Sequence, residues 1–503
     1  MFMNNIFFKN LALLWLLFVG FEVKAQQNSR PLTQPVIPDY VADPSVVNFN
    51  GTYYLYGTSD IDRDLQEMGP PVVWTSKDLV NWSYKGTLFQ GIDWNKPYTY
   101  GPEGKTKKGY FRYWAPGIVI KRDKLYHLYA TIVKPDGKTG TYHLTASMPE
   151  GPFKFSNGSG VFFNQPEKEN EETKPVVSDI DGDPFVDDDG QAYIFWRRRK
   201  AAKLSKDWQT LEGPEVTIPT KRSGYSEGPF LFKRNGIYYY LYTLSGGANY
   251  AYAYMMSKTG PLGPFVAPEQ DMIFKSDPGK EVWGPGHGNV LRIPGTDNYL
   301  FFYLEYGQGG TTRQVFVNRL QFNTDGTIQP AMVNTIGILE MPNLNKRASI
   351  RPVKVTASST RRDTIIKTTI DTVIDKLIAM PPKFVEKELA NVQRTMDFKP
   401  ENAVDGSNGT FWMSDNADKQ PWYQMDLGAI KRINNLEFFL VKSTLGHSYK
   451  IEKSEDGTMW KTVNIPASQE IRSPEVINKI GKTRFVKLTI LSGAPGLWEV
   501  KVY

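Results

Sequence analysis

The sequence contains no cysteine. This absence excludes disulfide bonds, a thiol nucleophile, thiolate metal sites and a lipid anchor on a cysteine that follows a leader peptide. Any catalytic or metal-binding chemistry must therefore come from oxygen and nitrogen side chains.

The sequence also lacks an apolar segment long enough to cross a membrane. Its longest apolar run, Leu11–Phe21, is about half of the roughly 20 residues that a spanning helix needs. The run follows Lys9 and precedes Val23-Lys24-Ala25, a pattern typical of a signal peptide cleaved at Ala25. We expect residues 1–25 to be removed and the mature chain to be exported, without a membrane span. An exported chain without disulfides fits a bacterial periplasm, cell surface or secreted fraction.

Positive charge is not concentrated in any long stretch of the chain. The net charge is +7 over 503 residues, and the one basic cluster is Arg197–Lys200. That cluster follows a predicted strand at Ala192–Trp196, where a solvated loop is expected. Nucleic-acid binding needs a concentrated basic face, so no nucleic-acid partner is expected. Nothing in the sequence indicates an oligomeric state.

Aromatic residues, by contrast, are abundant and make up 13% of the chain. They recur in five similar units, each a turn rich in Asn, Asp or Gly followed by an aromatic strand, at 50–56, 123–129, 189–195, 235–241 and 296–302. A second strand and another turn follow each copy. Five such units with little helical periodicity predict an all-β fold, a five-bladed β-propeller.

Ionisable residues stand at a repeated position ahead of these strands. Ten to twelve residues before the first tyrosine of each unit come, in chain order, Asp43, Pro116, Asp181, Glu227 and His287. In a propeller the innermost strand of each blade precedes this hairpin and lines the central channel. We therefore expect three carboxylates and a histidine to converge at the hub, although isolated acids usually cap turns or pair with Lys and Arg.

Three converging carboxylates allow two kinds of chemistry. Cleavage of a glycosidic bond needs a proton donor and a base or nucleophile, both commonly Asp or Glu. A third carboxylate raises the pKa of the donor by like-charge repulsion. In this interpretation Asp43 is the general base, Glu227 is the general acid, and Asp181 tunes and orients Glu227. The alternative is a site for Ca²⁺, which prefers oxygen ligands.

The motifs around these residues resemble glycoside hydrolase family 43 over residues 38 to about 340. The matching segments are Asp39–Val46, Tyr113–Pro116, Asp181–Phe185 with Asp187–Gly190, Ser226–Phe230 and Gly286–Gly288. The resemblance implies a five-bladed propeller that hydrolyses glycosides with inversion, with the roles given above for Asp43, Asp181 and Glu227. One departure is Asp183, where the family usually has a neutral residue, and Asp183 remains an alternative to Asp181.

The resemblance also implies the composition of the sugar site. It places Trp114, His287 and Arg313 at the substrate, with His287 under the sugar and beside a bound cation such as Ca²⁺. No cofactor is expected for the chemistry itself. Members act mainly on α-L-arabinofuranosides and β-D-xylosides, and some on galactosides. The expected function is release of pentose, preferably α-L-arabinofuranosyl, units from plant-type oligosaccharide or polysaccharide, and the alternatives are a β-D-xylosidase or a galactosidase.

The pattern changes from about residue 350. Segments 402–406, 410–412, 422–428 and 484–488 resemble the discoidin-like, coagulation factor 5/8 type C domain and family 32 carbohydrate-binding modules. This resemblance implies a β-sandwich of the jelly-roll type in which Asp405, Thr410 and Glu499 help hold a structural Ca²⁺. Residues 361–393 interrupt the match as an insertion, with a helix predicted near Pro382–Val392.

The sequence thus predicts three parts: a signal peptide at 1–25, a propeller hydrolase domain at 30–345 and a carbohydrate-binding sandwich at 350–503. A non-catalytic alternative is a glycan-binding protein with a degenerate hub, docked to glycans by both domains. Retention of all three acids argues against that alternative.

Overall fold

A computed structural model describes residues 35–60, 69–89, 91–222, 224–244, 250–277, 282–306, 312–331, 349–371, 389–465 and 471–503. The predicted signal peptide lies outside these ranges. Within them the chain is almost entirely β-structure, with short 3₁₀ turns at Pro166–Glu171, Arg197–Arg199, Pro400–Val404 and Ser443–Leu445. In the described stretches no helix is long and apolar enough to span a bilayer.

Residues 41–320 form the five sheets of a β-propeller, one after another along the chain. Blade 1 consists of β1 (Val41–Phe49), β2 (Thr52–Ser59), β3 (Val72–Ser76) and β4 (Trp82–Thr87). A separate hairpin, β5 (Tyr98–Tyr100) and β6 (Lys107–Gly109), precedes blade 2. Blade 2 consists of β7 (Arg112–Trp114), β8 (Ile120–Arg122), β9 (Leu125–Val133), β10 (Thr139–Ala146) and β11 (Lys154–Phe155).

The remaining three blades repeat the same antiparallel arrangement. Blade 3 consists of β12 (Asp183–Val186), β13 (Ala192–Trp196), β14 (Lys200–Leu204) and β15 (Leu211–Thr217). Blade 4 consists of β16 (Phe230–Arg234), β17 (Ile237–Leu244), β18 (Ala251–Ser257) and β19 (Met272–Lys275). Blade 5 consists, within the described ranges, of β20 (Gly286–Arg292), β21 (Tyr299–Tyr306) and β22 (Arg313–Leu320).

The five aromatic repeats are the second strands of the blades, namely β2, β9, β13, β17 and β21. The turns before β2 and β17 are Asn-Gly pairs with positive φ at both residues, 52° and 76° at Asn50-Gly51 and 50° and 76° at Asn235-Gly236. Such pairs favour tight hairpins. The aromatic side chains fill the spaces between blades, where Phe195 of blade 3 and Tyr240 of blade 4 are completely buried together. The predicted propeller is confirmed.

Blade 5 closes the ring against blade 1. The side chain of Asn289 on β20 accepts a hydrogen bond from Val46 N (2.7 Å) and donates one to Val46 O (2.8 Å). Apolar side chains of both blades share one buried cluster. The segment before β1 also helps to close the ring, because Val36 N donates a hydrogen bond to Val315 O on β22 (2.7 Å). First strands of neighbouring blades are therefore held together beside the central channel.

The C-terminal part is a β-sandwich, as predicted. Its strands are β23 (Lys354–Ala357), then the hairpin β24 (Thr364–Asp371) and β25 (Leu389–Met396), then β26 (Trp412–Met413), β27 (Trp422–Leu440), β28 (Ser448–Ser454), β29 (Lys461–Thr462), β30 (Glu475–Ser492) and β31 (Gly496–Val502). The pairing order is β26-β31-β27-β30-β28-β29, and β23 also pairs with β27. Register shifts interrupt the pairing of the long strands β27 and β30, and such bulges bend strands. The core includes the completely buried Phe438, Ile451 and Val486.

The predicted insertion at 361–393 contains a β-hairpin in its described part. Strand β24 pairs with β25 in unbroken antiparallel register from Thr364–Met396 to Asp371–Leu389. Residues 389–392 therefore lie in a strand, and the helix predicted near 382–392 is wrong there, since the β-branched sequence of β24 supplies a pairing partner. The rest of that predicted helix lies outside the described residues.

The propeller and the sandwich share a buried contact next to β1. The ring of Tyr40 packs edge-on against Trp498, with centroids 5.0 Å apart, and against Phe411 at 6.4 Å. Asp39 is buried beside it, and its Oδ2 accepts a hydrogen bond from Ser443 Oγ (3.5 Å). Burial raises the pKa of Asp39 to about 6. The contact lies four residues from Asp43, so the sandwich supports the segment that leads into the hub.

Candidate active site

Each blade has one residue in the left-handed backbone region at the hub, within or next to its first strand. These residues are Asp43 (φ 48°), Ala115 (41°), Asp181 (64°), Gly228 (50°) and His287 (22°). For residues other than glycine this conformation is uncommon, costs on the order of 1–3 kcal/mol and is concentrated at functional sites. Three of the five residues are among the predicted hub residues, and Ala115 and Gly228 are the immediate neighbours of the other two.

Buried threonines on the second strands fix these turns. The hydroxyl of Thr58 accepts from Ala115 N (2.8 Å) and donates to Asp43 Oδ2 (2.6 Å), and thereby links blades 1 and 2. Thr131 Oγ1 accepts from Asp181 N (2.9 Å). Thr243 Oγ1 accepts from Glu227 N (3.0 Å) and donates to Glu227 O (2.7 Å). Each strained turn that carries an acid is therefore tied to a rigid strand.

The structure brings the predicted acids and His287 together. His287 Nδ1 lies 3.5 Å from Asp43 Oδ1 and 3.9 Å from Asp181 Oδ2. Asp181 Oδ2 also accepts a hydrogen bond from Gly228 N (3.1 Å), next to Glu227. Gly228 is required here, since a Cβ at that position would lie 2.7 Å from the His287 ring. Burial lowers the pKa of His287, which favours the neutral form of its ring.

Arg313 on β22 balances the negative charge at Asp43. Its Nη1 lies 3.3 Å from both carboxylate oxygens of Asp43. The rest of the guanidinium makes two hydrogen bonds to Asp60, at 3.0 Å from Nε and 2.9 Å from Nη2. All three side chains are buried. The bidentate pair fixes the orientation of Arg313, so Asp60 holds the cation that faces Asp43.

The carboxyl group of Glu227 is held between two tyrosines. Tyr225 donates a hydrogen bond to Oε2, and Tyr250 donates one to Oε1. Tyr250 is buried, and Gly286 allows its approach because a Cβ there would lie 2.7 Å from the ring. Tyr225 is largely exposed. Both oxygens of Glu227 therefore have a fixed orientation, with one tyrosine facing solvent and the other facing the protein.

Burial and neighbouring charges raise the pKa values of Glu227 and Asp181. Burial, together with repulsion from Asp181, raises the pKa of Glu227 to about 7, while the Tyr225 hydrogen bond opposes the rise. Burial, together with repulsion from Asp43, raises the pKa of Asp181 to about 7. A carboxyl group that retains its proton near neutral pH can act as a general acid. The environment of Glu227 is thus suited to a carboxyl group that keeps its proton near neutral pH.

Asp183 does not join this group. Its Oδ1 accepts a hydrogen bond from Ile118 N (2.7 Å), and its Oδ2 has no hydrogen-bond partner among the described residues. Burial raises the pKa of Asp183 to about 8, so the side chain is neutral near pH 7. The position of the Asp183 side chain favours Asp181 as the third acid. The neutral form of Asp183 also resembles the uncharged residue that the family usually has at this position.

Trp114 lies at the start of blade 2, one residue before the Ala115 turn. Its ring is half-buried and is covered by the guanidinium of Arg112, 5.0 Å from the ring centroid. Trp114 therefore directly precedes the turn whose Ala115 N–H binds Thr58, the partner of Asp43.

The residues predicted to hold Ca²⁺ in the sandwich lie around one loop. Thr410 Oγ1 donates to Asp405 Oδ2 (2.7 Å), and Glu499 Oε2 accepts from Gly406 N (3.1 Å). Two carboxylates and a hydroxyl suit Ca²⁺, which takes oxygen ligands, although the described residues contain no cluster of three or more His, Asp or Glu side chains placed for a metal. Calcium at this loop, and near His287, stays a prediction.

Sequence reasoning missed Asp60, Tyr225, Tyr250 and the hub threonines. The threonines had a detectable signal, because Thr58, Thr131 and Thr243 each come five residues after the first tyrosine or equivalent of their repeat. Asp60 and Tyr250 had none, since their contacts to Arg313 and Glu227 join positions 253 and 23 residues apart in the chain. Tyr225 lies two residues before Glu227 and was missed despite that proximity.

Comparisons with known proteins identify relatives of both parts of the chain. Residues 32–328 match the family described as glycosyl hydrolases family 43, and residues 389–500 match the F5/8 type C domain. A beta-D-galactofuranosidase from Aspergillus niger is 26% identical over 320 residues, which cover 60% of this chain and 86% of that protein. An arabinoxylan arabinofuranohydrolase from Bacillus subtilis is 26% identical over 368 residues, which cover 62% of this chain and 66% of that protein. A solved structure described as a glycoside hydrolase is 38% identical with a TM-score of 0.79, over 94% of this chain and 99% of that one.

Proposed function

Since the chain belongs to the glycosyl hydrolases of family 43, we propose that it is an exported, inverting enzyme that releases α-L-arabinofuranosyl units from plant-type polysaccharide. The observation that carries the proposal is the group of Asp43, Asp181 and Glu227 at the hub, with His287 between two of the acids. The preference for a furanosyl unit is supported by the names of two relatives, an arabinofuranohydrolase and a galactofuranosidase.

In the proposed reaction Asp43 is the general base. A water molecule loses a proton to the Asp43 carboxylate as its oxygen attacks the anomeric carbon from the face opposite the leaving group. Thr58 and Arg313 fix the orientation of this carboxylate. The product therefore has the inverted anomeric configuration.

Glu227 is the general acid. It donates its proton to the glycosidic oxygen as the bond to the anomeric carbon breaks, which is typically worth roughly 10²–10⁴ in rate. Asp181 favours the protonated form by repulsion, and the two tyrosines orient the carboxyl group. The reaction uses these side chains and water only. Trp114, His287 and Arg313 line the sugar site around the acids.

A screen with aryl glycosides tests the proposal. The mature chain is assayed on 4-nitrophenyl α-L-arabinofuranoside, β-D-xylopyranoside and β-D-galactofuranoside, with Asp43→Asn as the inactive control. We expect the arabinofuranoside to be the best substrate, and proton NMR of the first-formed sugar to show inverted configuration. Retention of configuration, or activity that persists in Asp43→Asn, would contradict the mechanism.

A second candidate is a β-D-galactofuranosidase. It is favoured by the Aspergillus niger relative, which this chain matches over 86% of that protein's length. The same acids would serve, because the chemistry at the anomeric carbon is unchanged. A β-D-xylosidase, the third alternative, is covered by the same screen.

A further inference from the structure

Blade 2 has a structured segment directly before its hub turn. Strand β7 pairs with β9 and ends at Trp114, immediately before Ala115. The hairpin β5–β6 precedes β7. The segment 98–114 therefore leads into the hub turn of blade 2, and we call it the blade 2 wall.

The blade 2 wall is a packed structure. The rings of Tyr98 and Phe111 meet edge-on at 5.4 Å, and both contact Phe163, at 5.8 Å and 6.5 Å. Gly109 approaches the neighbouring turn so closely that a Cβ would lie 2.1 Å from Pro135 O. Aromatic contacts of this kind hold a surface in one shape, so side chains on the wall have defined positions relative to the hub.

Arg112 and Trp114 lie on one face of the wall. They are two residues apart on β7 and therefore point to the same side of the strand, while Tyr113 between them is buried in the blade core. The Arg112 guanidinium covers the Trp114 ring at 5.0 Å. Arg112 is thus placed three residues before Ala115, whose N–H binds Thr58, the partner of Asp43.

The hydrogen-bonding capacity of this pair is not satisfied by the protein. Arg112 Nε and Trp114 Nε1 are both buried, and neither has a hydrogen-bond partner in the part of the chain that the structure describes. No carboxylate among the described residues forms an ion pair with Arg112, and burial lowers the pKa of its guanidinium. Partly buried charges in proteins are normally paired, so this guanidinium is suited to a partner that arrives with a ligand.

The chemistry of the pair defines that ligand. A guanidinium binds a carboxylate through two parallel hydrogen bonds, and an indole ring stacks on the apolar face of a sugar. The rest of the wall is also positively charged, with Lys105, Lys107 and Lys108 against Glu103. A sugar that carries a carboxylate matches both features, whereas a neutral sugar leaves the cation unpaired.

We propose that Arg112 and Trp114 form a subsite for a uronic acid residue on the leaving-group side of the scissile bond, so that the natural substrate is an acidic glycan. The inference rests on the proposed function, since it assigns the sugar that follows the one bound at the hub. Arg112 is a specificity-determining residue in this arrangement, and its carboxylate partner belongs to the substrate.

The test uses one set of uronic-acid-containing oligosaccharides that end in the sugar identified by the aryl screen, before and after chemical reduction of their carboxyl groups. We expect the kcat/KM of the full mature chain to be about tenfold or more higher on the acidic form, because a charge-assisted bidentate contact is lost on reduction. Arg112→Gln should remove this preference. Lys108→Gln, which removes the same charge from an exposed site on the wall, should keep it.

Equal rates on the two forms, or equal loss of preference in Arg112→Gln and Lys108→Gln, would overturn the subsite. Activity on the aryl glycoside, measured for every variant, shows whether the hydrolytic centre is intact. If the chain hydrolyses no aryl glycoside, the proposed function fails separately. Calorimetry with sodium galacturonate then decides the subsite, since binding by the wild type and its loss in Arg112→Gln support it, and no binding contradicts it.

Discussion

At the scale of single residues, the three hub acids differ in the charged side chains that surround them. Asp43 contacts the cation Arg313, whereas Asp181 and Glu227 are near other acids and are largely removed from water. A carboxyl group with a raised pKa is suited to act as a general acid. Glu227 is therefore suited to retain a proton near neutral pH, and Asp43, held by Thr58 and Arg313, is the proposed base.

Replacing Asp181 by Asn should move the alkaline limb of the pH–rate profile to lower pH. In the proposed mechanism Glu227 must be protonated to act, and the limb falls as its proton is lost. Burial and then repulsion from Asp181 raise the pKa of Glu227 to about 7, so removal of that charge lowers it. The measurement is kcat/KM against pH for Asp181→Asn and wild type. An alkaline limb that stays in place or moves upward would show that Asp181 does not tune Glu227.

Replacing Tyr225 by Phe should shift the same limb in the opposite direction. The Tyr225 hydroxyl donates to Glu227 and lowers the pKa of that carboxyl group, so its loss favours the protonated form at higher pH. The same profile is recorded with Tyr54→Phe as a control, because Tyr54 donates to Glu150 far from the hub. A fall in kcat without any shift of the limb would indicate that Tyr225 acts only on the position of Glu227.

The acids could be found from the sequence because they recur at one position of a repeat. Asp43, Asp181 and His287 occupy equivalent left-handed turns, and the repeat spacing predicts that equivalence. Asp60 could not be found in this way, since its role depends on a bidentate contact to Arg313, 253 residues away in the chain. Arg112 could not be found from the sequence either, because its lack of a hydrogen-bond partner among the described residues is apparent only when the surrounding contacts are known.

At the scale of elements, the strained turns depend on hydroxyls from the neighbouring strands. Replacing Thr58 by Val should leave Ala115 N without an acceptor and Asp43 without one of its donors. A buried polar group without a partner costs about 1–3 kcal/mol, and a misplaced catalytic group lowers kcat by up to about 10²-fold. Thr58→Ser, which keeps the hydroxyl, should retain both stability and kcat. Equal losses in Thr58→Ser and Thr58→Val would assign the effect to packing.

The sequence was most informative where one strand pattern repeats. All five aromatic repeats are second strands of blades because alternating large side chains must pack between neighbouring sheets. The segment near 389–392 was predicted to be helical and is a strand, since its pairing with β24 is a contact that local sequence does not encode.

At the scale of the whole molecule, Asp39 joins the two parts at a pH-dependent contact. Burial raises the pKa of Asp39 to about 6, so the folded chain retains a proton that the unfolded chain loses above about pH 4. Stability therefore falls as the pH rises through this window. Asp39→Asn should raise the Tm at pH 7.5, by the equivalent of about 1–3 kcal/mol, and change it little at pH 4. A lower Tm at pH 7.5 in calorimetry would show that the ionised carboxylate stabilises the contact.

The most direct test of the catalytic assignment compares Glu227→Gln and Asp43→Asn on two substrates that differ only in their leaving group. One is an unactivated glycoside, and the other is a dinitrophenyl glycoside whose leaving group needs little protonation. We predict that Glu227→Gln loses roughly 10²–10⁴ in kcat/KM on the first and retains much of its activity on the second, whereas Asp43→Asn is severely impaired on both. Equal loss on both substrates in Glu227→Gln, together with activity of Asp43→Asn on the dinitrophenyl glycoside, would contradict the account.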